Sequence, residues 1–258
     1  MAAIEPMNQF MIRPVVPLPR VVVPGVGSID LSITNSVLYM LIAASIITVF
    51  FLAASRRAIV PGRMQALAET LYDLIDNGLT GAMIGDKGRP FLPFIFTLFS
   101  LIAVMNIVGL FPLQFTVTSQ LAVTVTLALL TFVTVVILGF IRNGLGFFKL
   151  FVPSGVPIYI LPLVVFIEVI SFFLKPVSHS VRLFANMLAG HIALKVFASF
   201  VGMLGALGII GWAGAVLPLG LTIALTALEL LVAFLQAYVF AILTCIYLNE
   251  ALHLHEHH

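Results

Sequence analysis

The sequence predicts an all-α polytopic membrane protein. It should have five transmembrane helices, an amphipathic interfacial helix, and a last pair of helices forming a long tilted hairpin. Three observations carry this. Of 258 residues, 62% are hydrophobic and 9% charged, with a mean hydropathy of +1.22, whereas a soluble domain is roughly 25% charged. Apolar stretches recur at or beyond the ~20 residues that cross a ~30 Å hydrocarbon core. The last two stretches are far longer than that, with polar residues stepping along them at helical spacing.

The segment 1–33 contains Pro6, Pro14, Pro17, Pro19 and Pro24 and lacks a charged region followed by an apolar one. It therefore predicts an outer-side N-terminal segment without a cleavable signal peptide. The first crossing, 34–55, stops at Arg56-Arg57. In 61–85, Met64, Leu67, Ala68, Leu71, Leu74, Ile75 and Leu79 recur at three- or four-residue spacing, with Glu69, Asp73 and Asp76 on another face. That pattern is a surface helix, not a span.

The next crossings are 90–111 and 115–141, the latter ending at Arg142. A short amphipathic stretch from Gly144 to Leu150 precedes a break at Pro153, Gly155 and Pro157. Long helices follow at 158–201 and 212–248, and Gly202, Gly205, Gly208, Gly211 and Gly214 favour a hairpin turn near their junction. At 1.5 Å per residue these helices reach ~66 and ~55 Å. Fitting ~55 Å into ~30 Å needs a lean of roughly 55°. Residues 249–258 form an inner-side tail, in which His253, His255, His257 and His258 read as exposed rather than metal-binding.

A net charge of +2 from scattered basic residues gives no support for a nucleic-acid partner. The single Cys245 excludes an intramolecular disulfide. No phosphate-binding glycine loop is present, so nucleotide chemistry must reside elsewhere; no cofactor and no metal are expected. Arg56, Arg57, Arg63, Lys87, Arg89, Arg142 and Lys149 fall on one side of the five crossings, against Arg13 and Arg20 on the other. That bias predicts the N-terminus outside and the C-terminus inside.

Arg182 is the residue that demands a function. Its nearest fixed charges in sequence are Lys175 and Lys195. A guanidinium cannot neutralise itself, and placing it at bilayer depth costs at least ~2.5–3.5 kcal/mol. Glu168, Ser171, Lys175, Ser178, His179, Arg182 and Asn186 step along the fourth crossing as one stripe, with His191 expected near the neighbouring face. Thr222, Thr226, Glu229, Gln236, Thr244 and Tyr247 make a sparser stripe on the fifth.

If the two helices run antiparallel, Glu229 should lie level with His191 and Gln236 nearer Arg182. An imidazole beside a carboxylate in a low-dielectric site can exchange a proton. Each residue also has a structural alternative. Arg182 and Lys175 could snorkel, and Glu229 could pair a single base. His191 could bond a backbone carbonyl, and Asn186 and Gln236 could join helices. The facing stripes favour a joint functional role.

The run Lys175-Pro176-Val177-Ser178-His179-Ser180-Val181-Arg182-Leu183-Phe184-Ala185-Asn186-Met187-Leu188-Ala189-Gly190-His191 resembles the signature of subunit a of the rotary F-type ATP synthase. Leu235-Gln236-Ala237-Tyr238-Val239-Phe240, with Leu243-Thr244 and Tyr247-Leu248, resembles that family's final helix. Met105-Asn106, Gly109-Leu110 and Pro112 resemble its second crossing, and Val117-Thr118-Ser119 through Leu121 its third. His179 departs from the residue expected in the signature.

The resemblance implies a proton-translocating stator subunit with two offset half-channels. Arg182 matches the essential arginine that faces the ring of c subunits. Asn186, His191, Glu229 and Gln236 match the outer half-channel, and Glu168 and Lys175 match positions near the inner exit. The His191 and Glu229 arrangement resembles alphaproteobacterial and mitochondrial forms, implying a bacterial inner membrane, with a mitochondrial one as the alternative. Implied partners are the c ring, b-type peripheral-stalk subunits, the remaining synthase subunits, lipid and H⁺. The competing classes are a secondary transporter, expected to show inverted repeats, and a structural scaffold. The former finds no repeat here, and the latter leaves Arg182 unexplained.

Overall fold

The computed structural model describes residues 11–17, 21–23, 27–29, 32–55, 62–111, 115–152 and 156–252. The readings on Pro6, Pro19, Pro24, Arg20, Arg56, Arg57, Pro112, the Pro153 and Gly155 break and the histidine-bearing tail lie outside them. Six α-helices are described: α1 (Asn35–Ala54), α2 (Arg63–Ile75), α3 (Leu92–Gly109), α4 (Leu121–Asn143), α5 (Leu161–Gly205) and α6 (Ile209–Leu252). Five of the helical stretches are long and apolar enough to cross a membrane: Asn35–Ala54, Gly85–Gly109, Leu121–Phe151, Leu161–Gly205 and Gly211–Leu252. The chain is thus an all-α polytopic membrane protein in its spans.

Four short strands precede them: β1 (Pro14–Val16), β2 (Val21–Val23), β3 (Gly27–Ile29) and β4 (Ile33–Thr34). β1 pairs antiparallel with β4, and β2 with β3. Sequence reading gave this segment no regular structure; Val21–Val23 is a β-branched run bounded by prolines and glycine. Asn35 ties the ribbon to α1: its Oδ1 accepts from the N–H groups of Arg13 and Ser36, at 3.2 and 3.0 Å.

Contacts divide the chain into two compact units. The first comprises Met1–Val49, Leu101–Gln120 and Phe184–Leu235. The expected crossing 115–141 is corrected, because α4, which belongs to the second unit, begins only at Leu121. Residues 115–120 hold a single 3-10 turn at Val117–Ser119. The cause is local: Ser119 Oγ donates to Thr116 O (2.7 Å) and Thr116 Oγ1 to Gly109 O (3.3 Å), bonds that compete with a helix.

The second unit comprises Phe50–Ser100, Leu121–Leu183 and Gln236–His258. Here the surface helix is shorter than the expected 61–85. After α2 the chain winds into a π-helical turn, Asp76–Gly81, and a 3-10 segment, Gly85–Phe91, which contains Pro90. The crossing expected from residue 90 starts as α-helix at Leu92. The stretch Gly144–Phe151 is a 3-10 helix whose Phe147 lies on α4 at Gly139. A Cβ at position 139 would meet that ring at 2.3 Å. Phe147 and Phe172 anchor an aromatic core with Phe132 and Phe151.

Throughout the spans, hydroxyls bond carbonyls one turn back, as in Ser45 to Leu41, Thr48 to Ala44 and Thr126 to Ala122. Such bonds satisfy these hydroxyls without water. α5 and α6 hold 45 and 44 residues and keep Pro176 and Pro218 inside them, so neither is split. The turn between them uses fewer glycines than expected. Gly202 and Gly205 belong to α5, and Gly211 and Gly214 to α6. Of these five glycines, Gly208 alone has a positive φ, +82°, a left-handed conformation that favours glycine.

Candidate functional site

The first group of polar residues lies on the open face of α5. Arg182, Asn186, Glu168, Ser171 and Ser178 are exposed, and Lys175 is half-buried. At 3.6 residues per turn these positions cluster on one side, while Phe172, Leu183 and Met187 occupy the buried side. Two expectations are corrected. His179 does not share the exposed stripe; it is 4% exposed and turned inward. His191 is not near the face of Arg182: nine residues make two and a half turns, which puts it on the opposite side. It too is buried.

Inside the second unit, His179 stands edge-on to Phe240, ring centroids 3.7 Å apart, with Tyr247 at 6.0 Å. Both its ring nitrogens are buried without a hydrogen-bond partner. Arg182, His179, Gln236, Val239, Phe240 and Leu243 border one narrow crevice. Lys175 is ion-paired with Glu250, and its ammonium sits 4.9 Å from the Tyr247 ring. Sequence reading missed Glu250. Its signal was its position as a carboxylate near the C-terminal end of the last helix. Glu168 remains on the exposed face, away from that pair.

Inside the first unit, His191 and Glu229 come together. Nδ1 of His191 is 3.6 Å from Oε1 of Glu229, and the two side chains are 9% and 5% exposed. Nε2 of the same ring is 2.9 Å from Thr116 Oγ1. Glu229 can approach α5 because position 190 is glycine. Asn106 Nδ2 donates to Ala233 O at 3.1 Å, one turn along from Glu229, fixing α3 against α6. A cleft of ≈ 180 Å³ is lined by Asn186, Ala189, Gly190, Leu225, Leu228, Glu229 and Val232. A hydroxyl, an imidazole and a carboxyl in contact form a chain of groups that can each give and take a proton.

Thr116 and Gly190 were not singled out from sequence. The polar run Thr116-Val117-Thr118-Ser119 inside an apolar region was the available signal for the first. For the second, the signal was a glycine one residue before a buried histidine. Among the described residues, no three His, Cys, Asp or Glu side chains converge as a metal site needs.

Comparison with known proteins bears on this arrangement. The family described as ATP synthase A chain matches residues 37–249, a span that holds every side chain just described except Glu250. The chain belongs to that family. It is 64% identical over 251 residues to "ATP synthase subunit a" of Rhodopseudomonas palustris (strain HaA2), covering 97% of this chain and 98% of the relative. It is 58% identical over 251 residues to the protein of that name from Bradyrhizobium diazoefficiens, with the same coverage. The Nitrobacter winogradskyi relative of that name is 57% identical over 249 residues, covering 96% and 98%. Membership of the ATP synthase A chain family agrees with the five candidate spans and makes this a multi-pass membrane protein.

Proposed function

We propose that the chain is the proton-conducting stator subunit in the membrane sector of an F-type ATP synthase. In this reading it works against a ring of c subunits and beside b-type stalk subunits. It performs no nucleotide chemistry of its own. It lies in the bacterial inner membrane, N-terminus outside and C-terminus inside, as the distribution of basic residues supports. Relatives named "ATP synthase subunit a" support the assignment to that complex.

One observation carries the reading: Arg182 is exposed on an apolar span, where Val177, Ser178, Val181, Ala185 and Asn186 are exposed around it. A fixed cation on such a face is costly against lipid. It is accommodated where a partner subunit brings carboxylates past it. A charged ring carboxylate stays beside Arg182, and only a protonated one moves cheaply into lipid. His191, Glu229, Asn186 and Gln236 then serve proton uptake on the outer side. Glu168 and Lys175, the latter paired with Glu250, serve release on the inner side. Arg182 separates the two paths. A potential of 100 mV supplies ~2.3 kcal/mol per proton, which biases rotation over many transfers.

Cysteines at Val181 or Ala185 test the arrangement in the assembled complex. Each should cross-link to the c-subunit helix carrying the membrane carboxylate. Cross-linking only to lipid-facing probes, with none to the ring, would contradict it.

A further inference from the structure

Thr116 has one hydroxyl proton and two neighbours that could receive it. Gly109 O, at 3.3 Å, is a carbonyl at the end of α3, where the helix supplies no N–H. A carbonyl can only accept. His191 Nε2, at 2.9 Å, can be acceptor or donor. Both contacts are satisfied together in one way: the hydroxyl donates to Gly109 O, and Nε2–H donates to Oγ1. Neutral imidazole carries one proton, so Nδ1 is then the bare nitrogen. It is Nδ1 that faces Glu229 Oε1, at 3.6 Å, a fraction of an ångström beyond hydrogen-bond length.

We infer that Thr116 is a positioning residue that fixes the tautomer and orientation of His191, so that Nδ1 is the nitrogen exchanging protons with Glu229. This rests on the proposed proton path through His191 and Glu229. The exchange balances simply. The O–H bond of Glu229 breaks and an N–H bond forms at Nδ1, leaving a carboxylate and an imidazolium that keeps its Nε2 proton on Thr116. The reverse transfer restores both neutral groups.

Thr116 is 1% exposed and is itself pinned, since its carbonyl accepts from Ser119 Oγ at 2.7 Å. It cannot swing aside without breaking two contacts. Among the described residues, the titratable groups that face the ring are Glu229 on α6 and Lys195 one turn along α5. The described residues of 101–120 contribute hydroxyls and side-chain amides, and no ionisable group.

The test uses the whole ATP synthase in proteoliposomes, comparing Thr116→Val, Thr116→Ser, His191→Ala and Glu229→Gln. Thr116→Val keeps the side-chain shape and removes the hydroxyl. Its proton transport should fall about ten-fold, the scale of one hydrogen bond to an ionising group, and its pH profile should shift. Thr116→Ser should restore both. In ¹⁵N-histidine-labelled wild-type complex, the resonance missing from His191→Ala should report Nε2–H.

An Nδ1–H resonance would overturn the inference. So would wild-type transport and pH profile in Thr116→Val while His191→Ala and Glu229→Gln are both inactive. Wild-type transport in His191→Ala and Glu229→Gln would remove the underlying path as well, a distinguishable failure. If Thr116→Val does not assemble, the serine variant and the resonance decide.

Discussion

Gly190 on α5 stands directly against the carboxylate of Glu229 on α6: a Cβ at position 190 would lie 2.6 Å from Oε1. That distance is closer than packed atoms tolerate, so the absence of a side chain at 190 is what admits the carboxylate beside His191. The relationship links a backbone choice on one helix to the placement of a proton-exchanging group on the other.

Gly190→Ala should therefore displace Glu229 and cut proton transport, at an overpacking cost of about 1–3 kcal/mol. Gly220→Ala is the control, because a Cβ there meets nothing within 4 Å. Proton pumping and complex yield, measured for both, check this. Equal, near-normal pumping would show that the close approach does not matter.

His191 and Glu229 should behave as one site. Loss of either proton-transfer group is expected to lower transport about 10²-fold. The double variant His191→Ala/Glu229→Gln should lose about as much as either single change, not the product of the two. Exchanging the two residues should retain more activity than either single change. A double-mutant cycle on ATP-driven acidification gives the coupling, and strictly multiplicative losses would argue for separate sites.

The unbroken lengths of α5 and α6 predict a steep lean. Helices of 45 and 44 residues extend ~68 and ~66 Å at 1.5 Å per residue, more than twice the ~30 Å core. Length alone does not set tilt, and typical spans lean about 20°. Containing these lengths in the core needs a lean of roughly 60° or more, which lays the exposed stripe of α5 along a curved partner surface. Oriented-sample measurements or a structure of the whole complex in lipid would read the angle. Values within about 25° of the normal would refute the tilted hairpin.

Much of this was legible in the sequence, because a bilayer enforces simple rules. Apolar length gave the five crossings, and the antiparallel pairing of two long helices set Glu229 level with His191. What escaped was what depends on which face is buried. His179 was grouped with Arg182 because both lie within one turn, yet packing against Phe240 turns it inward. His191 was set too near Arg182, although half a turn separates them. The start of α4 was set too early because Thr116 and Ser119 spend their hydroxyls on local backbone bonds, which hydropathy does not register. Glu250 became visible only when the fold brought it to Lys175.

The central claim is that Arg182 acts as a fixed planar cation facing moving carboxylates. The direct measurement is ATP-driven proton pumping by reconstituted complex carrying Arg182→Lys or Arg182→Ala, with assembly quantified in the same preparations. The account predicts full assembly, with pumping reduced about 10²-fold or more in both. Lysine should fail because a compact, deprotonatable ammonium does not replace the guanidinium fork. Wild-type pumping by Arg182→Lys would contradict the account.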